Sequence, residues 1–95
     1  MRKPVVLSEH ARFRMHLRRI PETIIEEVLA HPVVEARDTL TGYSIVVGKA
    51  LYGRKDRMVV VVYEELEHYL EIVTIHPIRA GQYRMRLQRG RWKAK

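Results

Sequence analysis

The chain has 95 residues, of which 46% are hydrophobic and 31% are charged, and it contains no cysteine. This size and composition predict one globular domain and exclude a wholly disordered chain, a disulfide framework and zinc–thiolate sites. No apolar run approaches the roughly 20 residues of a membrane-spanning helix, so we expect a cytoplasmic protein that is not embedded in a membrane. The formal net charge is +7, from 18 Lys or Arg against 11 Asp or Glu.

Two helices are predicted at the start of the chain. Ser8 can cap a first helix that runs to about Arg19, and Pro21 stands where a second helix would begin. The second helix ends before Pro32, because proline cannot continue a helix. Its apolar face is formed by Ile24, Ile25, Val28 and Leu29.

From Pro32 onward the pattern changes to strands separated by short turns. Four strands are predicted, at residues 33–37, 43–51, 58–64 and 69–76. Short connections favour sequential antiparallel pairing. A last helix is predicted at 80–88, ending at Gly90. The predicted fold class is α+β: two N-terminal helices packed on a four-stranded antiparallel sheet, with a short basic C-terminal helix or tail (79–95), in one domain over residues 1–95.

The first helix has an unusual row of polar side chains. At about 100° per residue, His10, Arg14 and Arg18 form one row between two apolar arcs. The arcs consist of Ala11 with Met15 and Phe13 with Leu17. Burying such polar groups is unfavourable unless they are paired or open to a cleft, so we expect the row to line a groove. The alternative is that these arginines form structural salt bridges with Glu26, Glu27 or an acid on a strand.

This helix resembles the opening of a widespread small domain family of uncharacterised function, whose motif is His-Ala-x-x-Arg-Met-x-x-Arg-x-Ile. The motif falls on His10, Ala11, Arg14, Met15, Arg18 and Ile20. The segment Val73-Thr74-Ile75 is similar to a late strand of that family, so the resemblance covers most of residues 8–76. Such domains look related to the ribonuclease fold of RelE-like toxins and colicin D. The resemblance implies a RelE-like fold, metal-independent RNA cleavage and a role as the toxin of a toxin–antitoxin pair. It also implies two partners: RNA, free or ribosome-associated, and an acidic antitoxin protein.

Metal-free RNA cleavage needs a base for the 2′-OH proton, an acid for the leaving 5′-oxygen and cations for the developing negative charge. Histidine suits both proton transfers near neutral pH. His10 and His76 are therefore the catalytic candidates, together with Arg14, and Arg14 and Arg18 could clamp a phosphate bidentately. Strand alternation predicts that His76 shares a face with Ile72. A histidine at a strand end can also be purely structural.

The whole net charge lies in the C-terminal segment. Residues 1–71 contain eleven basic and eleven acidic side chains, whereas residues 72–95 contain seven basic side chains and no acid. Basic residues interleaved with aromatic ones are typical of nucleic-acid binding. The predicted nucleic-acid contacts are Arg18, Arg79, Tyr83, Arg84, Arg86, Arg89, Arg91 and Trp92. The segment could instead be a solvated tail or an anchor for an acidic partner protein.

Two functions are therefore compatible with the sequence. The first is a RelE-like ribonuclease that cleaves RNA by 2′-OH attack, which needs a cleft where His10 or His76 approaches Arg14 or Arg18. The second is a non-catalytic module that binds RNA or DNA through the basic C-terminal surface, which needs only exposed charge. Neither function implies a cofactor or a metal ion.

Overall fold

A computed structural model of the chain describes residues 3–95. Its helices are α1 (Glu9–Arg18), α2 (Thr23–Ala30) and α3 (Ala80–Gln88). Its strands are β1 (Val5–Leu7), β2 (Pro32–Asp38), β3 (Ser44–Tyr52), β4 (Lys55–Glu65), β5 (Leu70–Pro77) and β6 (Trp92–Ala94). The strands form one sheet in the order β1-β5-β4-β3-β2-β6. Neighbouring strands are antiparallel except β1 and β5, which are parallel.

The predicted fold class is wrong, because the sheet has six strands and is mixed rather than four-stranded and antiparallel. The four central strands lie close to their predicted positions, and a three-residue strand is added at each edge. β1 pairs with the start of β5, where Leu7 lies opposite Ile72. β6 pairs with the end of β2, where Ala94 lies opposite Ala36. The end of the chain is thus a strand after a third helix, and the RelE-like architecture implied by the resemblance is not the one found.

The predicted first helix and its cap are confirmed. The Ser8 hydroxyl accepts a hydrogen bond from the Ala11 backbone N–H at 3.0 Å, which satisfies a free donor of the first turn. Ser8 also joins α1 to β5, since its backbone N–H donates to the carbonyl of Ile72 and its hydroxyl donates to the carbonyl of Val73. The direction of α1 is therefore fixed at its first turn against β5.

Helices α1 and α2 pack on one face of the sheet. α1 contributes Ala11 and Met15 to this core, and α2 contributes three buried apolar residues: Ile24, Ile25 and Val28. α2 crosses β3 so closely that a Cβ atom at Gly48 would lie 3.1 Å from the Cα atom of Val28. The glycine thus sets the distance between this helix and the sheet.

Helix α3 covers part of the opposite face, over a second core. This core contains Ala36, Ile45, Val47, Val60, Ile78, Tyr83 and Trp92. None of the helices within residues 3–95 is long and apolar enough to cross a membrane.

A β-bulge in β5 changes which side chains face α3. Val62 of β4 pairs with Thr74, whereas the next residue, Tyr63, pairs with Ile72, so Val73 is the extra residue. Ile72 belongs to the core under α1 and α2, whereas Thr74 and His76 line a cleft on the α3 side. The predicted alternation, which puts His76 and Ile72 on one face, is therefore wrong.

Candidate active site

A cleft of about 250 Å³ opens on the α3 side of the sheet. Its floor is apolar and comes from the central strands: Ile45, Val60, Val62 and Val73. Its walls are polar, aromatic or cationic: Asp38, Thr41, Tyr43, Thr74, His76, Arg86, Arg91 and Trp92. An apolar recess with a few convergent polar groups is the usual form of a ligand site.

His76 lies near the end of β5, and among residues 3–95 only one of its two ring nitrogens has a hydrogen-bond partner. Its Nδ1 atom lies 2.9 Å from the backbone carbonyl oxygen of Pro77. A carbonyl oxygen can only accept, so Nδ1 carries the hydrogen and donates it, and the neutral ring keeps the lone pair of Nε2. His76 therefore has the tautomer of a general base that acts through Nε2.

The pKa of His76 is lowered from its usual value, first by burial and then by the positive charges of Arg18, Arg86 and Arg14. The hydrogen bond to the carbonyl of Pro77 opposes this shift. Burial and nearby cations both disfavour the charged imidazolium. His76 is therefore mainly neutral at pH 7.

The three arginines that lower the pKa of His76 belong to two helices. Pairing between β1 and β5 ends at Ile72, and α1 contacts β5 beside it. Arg14 and Arg18 are half-buried on α1, and Arg86 is half-buried on α3. Arg86 lines the cleft, whereas Arg14 and Arg18 are not among its lining residues and affect His76 through their charge.

Within residues 3–95, Arg14 and Arg18 do not form the salt bridges that were the alternative interpretation of the row. The side-chain ion pairs within residues 3–95 join Lys3 to Glu65, His68 to Glu67, and Arg91 to Asp38. Neither Arg14 nor Arg18 belongs to one. Their charges are therefore not neutralised by a carboxylate within residues 3–95.

A second pair of charged residues shapes the cleft wall. The Nε atom of Arg91 lies 3.1 Å from both carboxylate oxygens of Asp38, and Asp38 also accepts hydrogen bonds from the backbone N–H groups of Leu40 and Thr41. Burial alone would raise the pKa of Asp38, but these hydrogen bonds outweigh it and hold the pKa below its usual value. The charge of Arg91 is therefore compensated.

Arg86 has no carboxylate partner in the part of the chain that the structure describes, and an aromatic ring orients it. Its guanidinium carbon lies 5.0 Å from the ring centroid of Trp92, which is within the range of a cation–π interaction. Trp92 is only 3% exposed, so the ring is a fixed platform. Arg86 thus faces the cleft with limited freedom.

The other predicted site residues lie elsewhere. His10 is exposed in the first turn of α1. Tyr83 is 8% exposed and, like Trp92, packs in the second core, so neither ring is open for a base to stack on. Arg84 and Arg89 are exposed, and Arg79 lines a neighbouring recess with Arg57 and Pro77.

Sequence reasoning missed several residues of the cleft. Asp38, Thr41 and Tyr43 come from the β2–β3 turn and its flanks, and nothing in their spacing indicates a site. The Asp38–Arg91 pair joins residues 53 positions apart. Of the cleft residues that were missed, only Thr74 had an indication in the sequence, because it lies inside the Val73-Thr74-Ile75 segment that resembles the family's late strand. Within residues 3–95, no group of three or more His, Asp or Glu side chains is placed to hold a metal ion.

The chain belongs to the DUF4258 family, described as a domain of unknown function, which it matches over residues 7–76. The match includes α1 and His76, whereas Arg86 and the rest of α3 lie beyond it. A search of curated proteins and a search of solved structures each found no match. The predicted membership of an uncharacterised domain family is thus confirmed, and the match carries no link to RelE-like toxins or colicin D.

Proposed function

We propose that this DUF4258 domain is a metal-independent ribonuclease that cleaves RNA by 2′-OH attack, and that it is the toxin of a toxin–antitoxin pair. The observation that carries the proposal is the pairing of His76 and Arg86 in the walls of one cleft, with Nδ1 of His76 engaged by the Pro77 carbonyl and Nε2 left to act. The positive charges of Arg18, Arg86 and Arg14 contribute to the lowered pKa of His76 and support it. A relation to RelE-like toxins and colicin D is part of the proposal. Its support is the α1 motif, in which Arg14 and Arg18 are motif positions.

His76 supplies the base of the proposed reaction. Its Nε2 atom takes the proton of the 2′-OH while the 2′-oxygen forms a bond to phosphorus. The bond from phosphorus to the 5′-oxygen then breaks, which leaves a 2′,3′-cyclic phosphate and a 5′-hydroxyl end. A lowered pKa keeps Nε2 unprotonated at neutral pH, as this step requires.

The arginines stabilise the negative charge that develops on the phosphoryl oxygens. Arg14 and Arg18 are one helical turn apart, which is about 6 Å along the axis of α1. Guanidinium groups donate two parallel hydrogen bonds to phosphate oxygens. Arg86, held against Trp92, approaches the same phosphate from α3. Preorganised cations of this kind supply a large share of the rate in phosphoryl chemistry.

His10 is the proposed acid for the leaving 5′-oxygen. It lies in the row of Arg14 and Arg18, one turn before Arg14 and about 6 Å further along α1. Its side chain is exposed, so it can exchange its proton with solvent between turnovers. In the proposal, a phosphate held by Arg14 is thus one helical turn from the acid at His10.

The test is cleavage of a single-stranded RNA in EDTA, with both new ends mapped. We expect a 2′,3′-cyclic phosphate, no cleavage at a 2′-deoxy nucleotide, and a rate about 10²–10⁴-fold lower for His76→Gln. His68→Gln is the matched control, because the His68 side chain is 84% exposed and lies just before the same strand. An unchanged rate for His76→Gln, or cleavage that EDTA abolishes, would contradict the proposal.

The second candidate function is a non-catalytic module that binds RNA or DNA. It is favoured by the exposed cations of the C-terminal segment outside the cleft, namely Arg79, Arg84, Arg89, Lys93 and Lys95. Charge of this kind binds phosphate backbones without any chemistry. An oligonucleotide that is bound but stays intact in the assay above would favour this function over the first.

A further inference from the structure

The outward side of α1 presents two large apolar side chains to solvent. Phe13 is 62% exposed and Leu17 is 63% exposed. They are four residues apart and are therefore neighbours on the helix surface. We call this pair the α1 ridge. The ridge does not hold α1 on the sheet, since Ala11 and Met15 are the buried residues of this helix.

Cationic side chains flank the α1 ridge on both sides. At about 100° per residue, Arg14 and Arg18 lie on one flank, and Arg12 lies on the other. The single acid of the helix is Glu9, in its first turn. The outward surface of α1 is thus an apolar strip with a positive border.

The apolar strip and its positive border together indicate which kind of molecule can bind to the α1 ridge. A second copy of the chain would place arginines opposite arginines, which is repulsive. A nucleic acid would satisfy the cations, but it has no counterpart for an aliphatic side chain such as Leu17. A protein helix with an apolar face and carboxylates along its borders matches both features.

We propose that the α1 ridge is the docking surface for an acidic amphipathic helix of a partner protein. Apolar side chains of the partner pack on Phe13 and Leu17, and its carboxylates pair with Arg12, Arg14 and Arg18. Apolar contact provides the stability of the complex, and the charge pairs fix its orientation and speed its formation.

Docking has a consequence for the cleft. Arg14 and Arg18 act on His76, so a helix that pairs with them withdraws two phosphate-binding cations. The docked partner therefore inhibits cleavage, as an antitoxin does. This inhibition rests on the proposed function, whereas the docking itself does not.

The test uses a synthetic peptide of leucine, alanine and glutamate, about 20 residues long so that it can be helical alone. Its leucines are spaced three and four residues apart, and a lysine-for-glutamate version serves as the charge control. Binding is followed by fluorescence anisotropy. We expect the acidic peptide to bind, the lysine peptide not to bind, and Phe13→Ser/Leu17→Ser to weaken binding at least about tenfold.

The matched control is Leu40→Ser/Leu51→Ser. These leucines are 76% and 62% exposed and lie outside α1, so peptide binding should stay unchanged. Melting temperatures of both double variants should remain close to wild type, because all four side chains face solvent.

Three outcomes would overturn the docking proposal. They are no binding of the acidic peptide, equal binding to the ridge variant, and a loss in that variant of affinity for a 2′-deoxy oligonucleotide instead of the peptide. Peptide binding without any RNA cleavage by the wild type would sink the proposed function and leave the docking intact. RNA cleavage without peptide binding would contradict the docking proposal and leave the proposed function intact.

Discussion

One backbone carbonyl decides which nitrogen of His76 can act as a base. The carbonyl of Pro77 holds the hydrogen on Nδ1, and the burial of the ring keeps Nε2 unprotonated at neutral pH. A phosphate bound by Arg14, Arg18 and Arg86 would offset their charges and raise the pKa of His76. The base would then hold its proton better once substrate is bound, when proton transfer begins.

Replacing Arg18 tests this coupling at a single residue. Among the three arginines, Arg18 contributes most to the lowered pKa of His76. Cations destabilise imidazolium, so Arg18→Gln should raise the pKa of His76, and the acidic limb of the cleavage rate should move to higher pH. The measurement is an NMR titration of the His76 Cε1–H signal. Arg12→Gln, on the other flank of α1, should leave that signal unmoved, and an equal shift in both variants would contradict the assignment.

The same pKa shift links stability to pH. The pKa of His76 is lower in the folded chain than its ordinary value of 6.5, so the unfolded chain binds the proton more readily. The contribution of His76 to stability is therefore complete above pH 6.5 and is lost as the pH falls through the folded pKa.

At the scale of elements, the sequence predicts those parts of the fold whose signals are long and local. The first helix has a capping serine, and α3 has a terminating glycine, so both lie where the pattern predicts. β1 and β6 have three residues each, too few for alternation to show. Each strand forms only by pairing with a partner: β1 pairs with the distant β5, and β6 pairs with β2. In the sequence, β6 resembles a solvated tail because it carries the exposed Lys93.

The sequence indicates individual residues of the candidate site, but it does not predict how they are arranged in space. The motif on α1 indicates Arg14 and Arg18, and the end of a strand indicates His76. Their approach depends on the two hydrogen bonds from Ser8 to β5 and on the bulge at Val73. Both are products of tertiary packing, which no local pattern encodes.

The contact between α2 and β3 gives a prediction at this scale. A methyl group at Gly48 would lie 3.0 Å from the carbonyl oxygen of His31 and 3.1 Å from the Cα atom of Val28. These are backbone atoms that can yield only if α2 moves, so Gly48→Ala should destabilise the fold by about 1–3 kcal/mol. Urea denaturation measures the change.

Gly81→Ala is the control for that variant. Gly81 lies in α3 with open space around its Cα atom, so alanine there should stabilise the chain by up to about 1 kcal/mol through helix propensity. If Gly48→Ala were as stable as wild type, the close packing of α2 on β3 would be wrong.

At the scale of the whole molecule, the positive charges that affect the cleft do not all come from the segment that carries the net charge. The excess positive charge belongs to residues 72–95, yet Arg14 and Arg18 from the neutral N-terminal part act on His76 together with Arg86. The proposed RNA contact therefore has two components. One is the phosphate clamp of α1, and the other is the exposed charge of the C-terminal segment.

The salt dependence of RNA binding separates these two components. Deleting the C-terminal residues is unsuitable, because it would remove buried Trp92 and the partner of Asp38. The triple variant Arg84→Gln/Arg89→Gln/Lys93→Gln changes only exposed side chains. Each cation that contacts a single-stranded phosphate contributes about 0.7 to the slope of log affinity against log salt, so this variant should lower the slope by about 2.

The double variant Arg14→Gln/Arg18→Gln is the matched comparison, since it removes two cations and should lower the slope by about 1.4. The measurement uses an RNA with a 2′-deoxy nucleotide at the mapped cleavage site, which binds without being cut. Cleavage at saturating RNA should stop in the α1 variant and continue in the C-terminal variant, because Arg14 and Arg18 belong to the proposed phosphate clamp whereas Arg84, Arg89 and Lys93 do not line the cleft. If the C-terminal variant keeps the wild-type slope, the basic segment does not contact RNA. If the α1 variant still cleaves at the wild-type rate, the cleft at His76 is not where RNA is cut.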